Sequence, residues 1–190
     1  MKKIMLIALA GILFSCGSNN SNDAEKLKKE AVEGIEKLEA ELKSSVELSP
    51  NLKKANKLIE MYVTFVNNNP NDDHCGEFIF KAGEVSMGTE QYKRAIGFFE
   101  NVITNYPGYE KIVEAHYLVA FIYDYYLDQK GVAEDKYKLV IERFPRNDFA
   151  NEARGAINNL YLSDEELIKK FEDLNRSAQE KVEAMQEKEL

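Results

Sequence analysis

The side chains of this chain that could act as nucleophiles, acid–base groups or metal ligands are few and scattered. Its only histidines are His74 and His116, and Cys75 follows His74 directly. A thiol beside an imidazole is the pairing of cysteine nucleophiles, but adjacent residues of a helix point in different directions. No further cysteine or histidine lies at the spacing of a metal site. We therefore interpret Cys75 as a small buried residue and predict no catalytic residue, no metal site and no cofactor.

The other cysteine, Cys16, stands in a different setting. Two lysines start the chain, residues 4–14 form an apolar run too short to cross a bilayer, and Ser15 precedes Cys16. This order is typical of a bacterial lipoprotein signal, in which the cysteine becomes the first mature residue and carries acyl chains. The alternative is an ordinary secretory signal with an incidental cysteine. We predict a signal peptide over residues 1–15, lipidation of Cys16 and a polar tether over residues 16–23.

The charge balance is acidic, with 25 basic and 33 acidic side chains and a formal net charge of −8. Nucleic acid and anionic lipid surfaces both require clustered Lys or Arg, so we expect neither as a partner of the folded domain. If Cys16 is acylated, Cys75 is the one remaining thiol and no internal disulfide can form. Stability must then come from packing.

The spacing of apolar residues predicts helices throughout, with no useful run of strand-like alternation. Residues 24–48 form a first, highly charged helix, which would either dimerise as a coiled coil or pack on the segment that follows. Ser49 then caps a helix that Pro50 opens and that runs to about Asn68. All four prolines fall between helical runs. The sequence therefore predicts an all-α fold.

Three of those prolines mark a repeat. Pro70 and Pro107 are 37 residues apart, and Pro107 and Pro145 are 38 apart. Thirteen residues after each proline stands a residue where two helices are expected to approach closely: Gly83, Ala120 and Asn158. A period in the thirties with two helices per unit is typical of helical solenoids.

The residues of these units resemble the tetratricopeptide repeat. The first unit carries Gly83, Ala95, Phe99 and Pro107 at the family's relative spacings, and the second carries Ala120, Tyr123, Ala133, Tyr137 and Pro145, with one extra residue in its inner loop. The pattern departs from the family at Ser86, Val102, Val140 and Asn158. The resemblance covers residues 51–162 and implies a right-handed helical solenoid with flanking helices at both ends.

The order of segments is similar to tetratricopeptide lipoproteins of Bacteroidota type. More distantly, it is similar to the outer-membrane assembly lipoprotein BamD and to the repeat domain of the periplasmic division coordinator. Those relatives imply a non-catalytic scaffold. A capping box of Ser163 and Glu166 starts the closing helix, residues 163–190, whose first turns we expect to cover the open end of the stack.

In the repeat family the first helix of each unit lines a concave surface. Carried over to this sequence, that surface is acidic with interleaved aromatic residues: Glu77, Phe80, Glu84, Met87, Glu114, Tyr117, Phe121, Asp124, Tyr125, Glu152 and Asn159. We expect it to take a basic segment of another envelope protein. The competing interpretation is that the glutamates only favour helix starts and the aromatic residues belong to the core.

Two other functions stay open. The chain would serve as a BamD-like subunit of an outer-membrane protein assembly machine, or as a carbohydrate- or solute-binding lipoprotein. The absence of tryptophan disfavours the latter. Gly17 after Cys16, in place of an aspartate, favours the outer membrane, and a tether with one acidic residue favours its periplasmic side. The oligomeric state is left open.

Overall fold

The computed structural model describes residues 19–44 and 51–186. Over these residues the fold is all-α, as the sequence predicts, and every regular element is a helix. The eight α-helices, in chain order, are α1 Asn19–Ser44, α2 Leu52–Asn68, α3 Cys75–Gly88, α4 Tyr92–Asn105, α5 Ile112–Phe121, α6 Lys130–Arg143, α7 Asp148–Asn159 and α8 Asp164–Gln186. A π-helical turn, Ile122–Tyr126, extends α5. The predicted signal peptide and Cys16 lie outside the described residues.

Each helix from α1 to α6 packs against the next helix along the chain, and α7 also touches α5. The prolines set this pattern, because a proline restricts the preceding residue to non-helical backbone. The helices α2, α4 and α6 each end two residues before a proline, and the residue directly before Pro70, Pro107 and Pro145 is the C-cap. The prediction that these prolines separate helices is confirmed.

The start of α2 differs from the prediction. Asn51, rather than Ser49, is its N-cap residue, since the Asn51 side chain accepts a hydrogen bond from the backbone N–H of Lys54 at 3.1 Å. The helix therefore begins at Leu52, and the prediction that Pro50 opens it is wrong. The first helix also differs: α1 begins at Asn19, within the segment assigned to the tether, and residues 45–48 lie outside the described range.

Equivalent positions 38 residues apart in α4 and α6 are buried together. Ala95 and Ala133, Phe99 and Tyr137, and Val102 and Val140 are each fully buried. A small residue allows close helix contact, and the aromatic residue one turn later fills the space beside it. The two helix pairs α3–α4 and α5–α6 thus use the same packing scheme.

The second unit contains one more residue than the first, and the structure places that residue in a helix. Cys75–Gly88 has 14 residues, whereas α5 and its π-helical turn together have 15. The connections that follow, residues 89–91 and 127–129, have equal length. The prediction of an extra residue in the inner loop is wrong in its location, because the wider π-helical turn absorbs it.

The last helix starts as predicted but packs less than predicted. The backbone N–H of Ser163 donates to Glu166 Oε2 at 2.8 Å, and the N–H of Glu166 donates to Ser163 Oγ at 3.3 Å, which is the expected capping box. However, Phe171 on the apolar stripe of α8 is 53% exposed, and Leu174, Val182 and Met185 are exposed as well. The apolar stripe of α8 therefore does not cover the end of the stack.

Candidate functional site

The residues of the predicted concave surface lie on α3, α5 with its π-helical turn, and α7. They differ in burial and in the partners of their side chains. The prediction that Phe80 on α3 belongs to this surface is wrong, since Phe80 is only 1% exposed. Its ring packs between those of Phe99 and Tyr109, with centroids at 5.3 and 5.6 Å. Lys111 lies over its face with Nζ 4.9 Å from the centroid. Phe80 is a core residue, because these groups cover the ring on every side that a partner would approach.

The first carboxylate of α3 is paired within the molecule. Glu77 lies 2.6 Å from Lys81 Nζ, and the same ammonium lies 3.1 Å from Glu39 of α1. Glu39 also accepts a hydrogen bond from Tyr62 at 2.7 Å. This network fastens α1 to α2 and α3, so Glu77 acts mainly in holding the helices together.

The carboxylates of Glu84 and Glu114 lie near each other between α3 and α5. Burial raises the pKa of Glu84, and the positive charge of Lys111 opposes that rise while Glu114 adds to it. Lys111 stands 3.9 Å from Glu114. Lys81 and Lys43 also oppose the rise in the Glu84 pKa, so lysines partly compensate the negative charge of these two carboxylates. Met87, one turn beyond Glu84, is partly buried against the core.

The predicted aromatic residues of α5 form a continuous row. Tyr117, Phe121 and Tyr125 follow one another at four-residue spacing, and their rings are nearly parallel, with centroids 6.3 and 5.4 Å apart and interplanar angles of 18° and 7°. Exposure increases along the row, from the half-buried Tyr117 to Tyr125, which is 73% exposed. The row therefore presents ring faces and edges to solvent at the end of α5.

Three further aromatic residues extend this row, and the sequence analysis did not assign them to the surface. Phe149 of α7 packs on Tyr117, with centroids 5.1 Å apart. At the other end, Tyr126 stacks on Tyr92 of α4 at 4.2 Å and 16°. The tyrosines adjacent to Tyr125 were visible in the sequence as a cluster. Nothing in the sequence indicated that Tyr92, 34 residues away from Tyr126, would meet them.

Two carboxylates flank the row at different depths. Asp124 accepts a hydrogen bond from the hydroxyl of the buried Tyr137 at 3.2 Å, and burial raises the Asp124 pKa. Glu152 of α7 is exposed and lies beside Tyr117, whose pKa is raised by burial and then by this carboxylate. The aromatic row with Asp124 and Glu152 is called the aromatic–acidic surface below.

Asn159 lies outside this surface. Its Oδ1 accepts a hydrogen bond from Lys170 Nζ of α8 at 2.7 Å. This contact joins α7 to the first turns of α8. Asn159 is therefore engaged in a helix contact rather than presented to a partner.

The residues considered for catalysis have structural partners. His74 Nδ1 pairs with Asp72 at 2.7 Å instead of with Cys75. The Cys75 thiol donates to the backbone carbonyl of Asn69 at 3.0 Å and is buried, which raises its pKa. The interpretation of Cys75 as a buried residue is confirmed. Among the residues that the structure describes, no three His, Cys, Asp or Glu side chains come together as metal ligands.

The described helices also bear on the relation to a membrane. Within residues 19–44 and 51–186, no helix combines the length and the apolar composition needed to cross a bilayer.

No family model matches the chain, and no curated protein is significantly similar to it in sequence.

Proposed function

We propose that this protein is a non-catalytic scaffold of the tetratricopeptide type, a right-handed helical solenoid held by lipid on Cys16 at the periplasmic side of an outer membrane. Its aromatic–acidic surface binds a basic segment of another envelope protein. The lipid attachment rests on the residues around Cys16 in the sequence. The binding surface rests on contacts in the structure.

The repeated packing supports the solenoid. Helices α3 to α6 form two pairs with matched small and aromatic positions 38 residues apart, and each pair ends before a proline. In such stacks each unit contacts its neighbours only, which agrees with the sequential helix contacts here. A scaffold needs no reactive group, and its function comes from a surface that consecutive units build together.

The observation that carries the binding proposal is an aromatic row that is exposed at Tyr125, together with the exposed carboxylate of Glu152 beside Tyr117. Tyr125 presents its ring to solvent, and Glu152 is an exposed carboxylate that makes no ion pair with any described residue. A guanidinium over an aromatic ring contributes about 0.5–2 kcal/mol, depending on its desolvation. A carboxylate nearby adds a charge-assisted hydrogen bond. An arginine-rich or lysine-rich segment satisfies both groups.

Burial and ion pairing on α3 favour α5 and α7 as the centre of the proposed surface. On α3, Phe80 is core and Glu77 is paired with Lys81, so these positions offer little to a partner. Tyr125, Phe121 and Glu152 remain available. We therefore place the contact at the second unit and the start of the last helix pair.

A site-specific crosslinker tests this placement. A photoreactive phenylalanine analogue is placed at position 125 in cells and, as a matched control, at position 161, where Tyr161 is 60% exposed on the turn after α7. We expect position 125 to crosslink one envelope protein that position 161 does not. We also expect Glu152→Lys, which reverses an exposed charge, to reduce that crosslink at least about fivefold, since it removes attraction and adds repulsion.

The captured protein decides between the functions that the sequence leaves open. Capture of the barrel-assembly protein through a basic segment assigns the chain to an assembly machine. Capture of another envelope protein assigns it to a different scaffold. Equal crosslinking at both positions, or a crosslink that Glu152→Lys leaves unchanged, contradicts the aromatic–acidic surface as the binding site.

A further inference from the structure

His116 is a buried titratable group that the aromatic–acidic surface does not use. It lies on α5 and is 6% exposed, with its ring 5.4 Å from that of Phe144. Neither ring nitrogen has a hydrogen-bond partner among the described residues. Since no buried side-chain nitrogen or oxygen of these residues lacks a partner, both ring nitrogens of His116 reach solvent. The ring nitrogens are therefore open to a hydrogen-bond partner that enters from solvent.

The imidazole lines a cleft between α4, α5 and α6. The cleft has a volume of about 240 Å³. Its apolar walls are formed by Ile103, Val119 and Leu139. Because protein sites for drug-sized ligands usually exceed about 300 Å³, this cleft suits a single small group.

The rim of the cleft carries three charged side chains. Lys136 Nζ of α6 lies 2.9 Å from Glu100 of α4, so these two charges largely compensate each other. Arg143 at the end of α6 makes no ion pair with any residue that the structure describes. The cleft therefore has an uncompensated guanidinium on its rim and an unpaired imidazole inside.

We propose that this cleft binds a small oxyanion, the phosphate or carboxylate end of a ligand. Arg143 supplies the bidentate donors that planar oxyanions prefer, and His116 supplies a ring N–H from the interior. Lys136 contributes a second positive charge, which Glu100 weakens.

The charges around His116 make anion binding depend on pH. The pKa of His116 is lowered to about 4, chiefly by burial and in addition by the positive charges of Arg143 and Lys136. The charged groups that face the imidazole are Glu100 from α4 and Lys136 and Arg143 from α6. An anion seated among these groups favours the imidazolium, so anion binding and proton uptake must strengthen each other reciprocally.

Histidine NMR on the purified full-length chain tests the proposal. The ring signals of His116 and His74 are titrated between pH 4 and 8 in sodium phosphate, in sodium acetate and in sodium chloride at equal ionic strength. We expect phosphate, acetate or both to raise the pKa of His116 by about one unit, which is a tenfold coupling. His74, which is exposed and paired with Asp72, serves as the internal reference and shifts equally in all three salts.

Two variants distinguish a binding site from an accidental cleft. Arg143→Gln removes the unpaired guanidinium and should weaken phosphate or acetate binding at least about fivefold. Glu100→Gln removes the carboxylate that pairs with Lys136 and should strengthen phosphate or acetate binding. A purely structural cleft does not predict this effect. A response to phosphate alone identifies the phosphate class, and a response to acetate alone identifies the carboxylate class.

The proposal is overturned if neither anion changes the His116 pKa relative to chloride. It is also overturned if His74 shifts as much as His116, or if Arg143→Gln leaves the anion response unchanged. Arg143 is exposed, so its substitution is expected to leave the fold intact. Circular dichroism of each variant checks that expectation.

Discussion

The backbone of Gly83 in α3 lies directly against the ring of Phe99 in α4. A Cβ atom on Gly83 would stand 2.6 Å from Phe99 Cε1, closer than carbon atoms pack without displacement. Phe99 is fully buried and cannot retreat toward solvent. The close approach of α3 and α4 therefore depends on the absence of a side chain at position 83.

We predict that Gly83→Ala destabilises the protein by about 1–3 kcal/mol, although alanine is the better helix former, because the methyl group forces α3 and α4 apart. Gly97→Ala is the matched control. Gly97 lies in the middle of α4 with no atom near its Cβ position, so the same exchange should stabilise by roughly 0.5–1 kcal/mol. Urea unfolding measures both values. A Gly83→Ala protein as stable as Gly97→Ala would show that the helix pair adjusts freely.

The sequence predicted this contact because the spacing from Pro70 placed a glycine where the repeat family needs close helix approach. The same reasoning placed Ala120 correctly, since it is fully buried in the second unit. It failed at Asn158, which is exposed. A small residue is required only where a second helix packs, and α8 does not pack over Asn158.

The candidate surface was predictable only in part. Four-residue spacing on α5 was enough to place Tyr117, Phe121 and Tyr125 in one row. The burial of Phe80 was not predictable from that pattern, because it results from Tyr109 and Lys111, which lie across a turn in the next unit. The contact of Tyr92 with Tyr126 depends on the π-helical turn, a backbone feature that apolar periodicity does not indicate.

The hydroxyl of Tyr62 provides a second stability test. It donates to Glu39 at 2.7 Å across the α1–α2 contact, and the Tyr62 side chain is fully buried. Tyr62→Phe should lower the free energy of unfolding by about 1–2 kcal/mol, since a hydrogen bond to a charged acceptor is lost while Lys81 still pairs with Glu39.

Tyr161→Phe is the control for that variant. Its hydroxyl donates to Glu134 at the same distance of 2.7 Å, but both groups are near solvent. Water replaces the lost partner there, so we expect a change below about 0.5 kcal/mol. Equal losses of unfolding free energy in the two variants would mean that burial does not strengthen the hydrogen bond between Tyr62 and Glu39.

The buried imidazole of His116 predicts a loss of stability in acid. Its pKa falls from the ordinary value of 6.5 to about 4 in the folded chain, chiefly through burial. Between these values the unfolded chain binds a proton that the folded chain does not, so stability decreases as the pH falls through this window. The loss attributable to His116 approaches roughly 3 kcal/mol at pH 4.

His116→Leu isolates this contribution, because the carboxylates that also titrate in acid are common to both proteins. Urea unfolding in chloride buffer at pH 7.5 and pH 4.5 gives the acid-induced loss of each. We expect the loss to be smaller by about 2–3 kcal/mol in the variant. Identical losses would show that His116 is protonated in the folded state without penalty.

The exposed stripe of α8 predicts tolerance to truncation of its side chains. Leu174 is exposed, so Leu174→Ala should change the free energy of unfolding by less than about 0.5 kcal/mol. Leu58→Ala, the same exchange at a buried position of α2, should cost about 2–5 kcal/mol. A loss above about 1 kcal/mol at Leu174 would indicate that α8 covers the end of the stack in solution, as the sequence alone suggested.

The proposed lipid anchor on Cys16 should affect both the membrane attachment of the protein and its binding to a partner. Cys16→Ala removes the acylation site, and we expect the protein to leave the membrane fraction after carbonate washing, whereas Cys75→Ala remains there. Confinement near a membrane raises the effective concentration of a partner to the millimolar range. The crosslink from position 125 should therefore weaken in the Cys16→Ala protein, although the aromatic–acidic surface itself is unchanged. An undiminished crosslink from a fully soluble protein would mean that the surface binds tightly enough to act without the lipid.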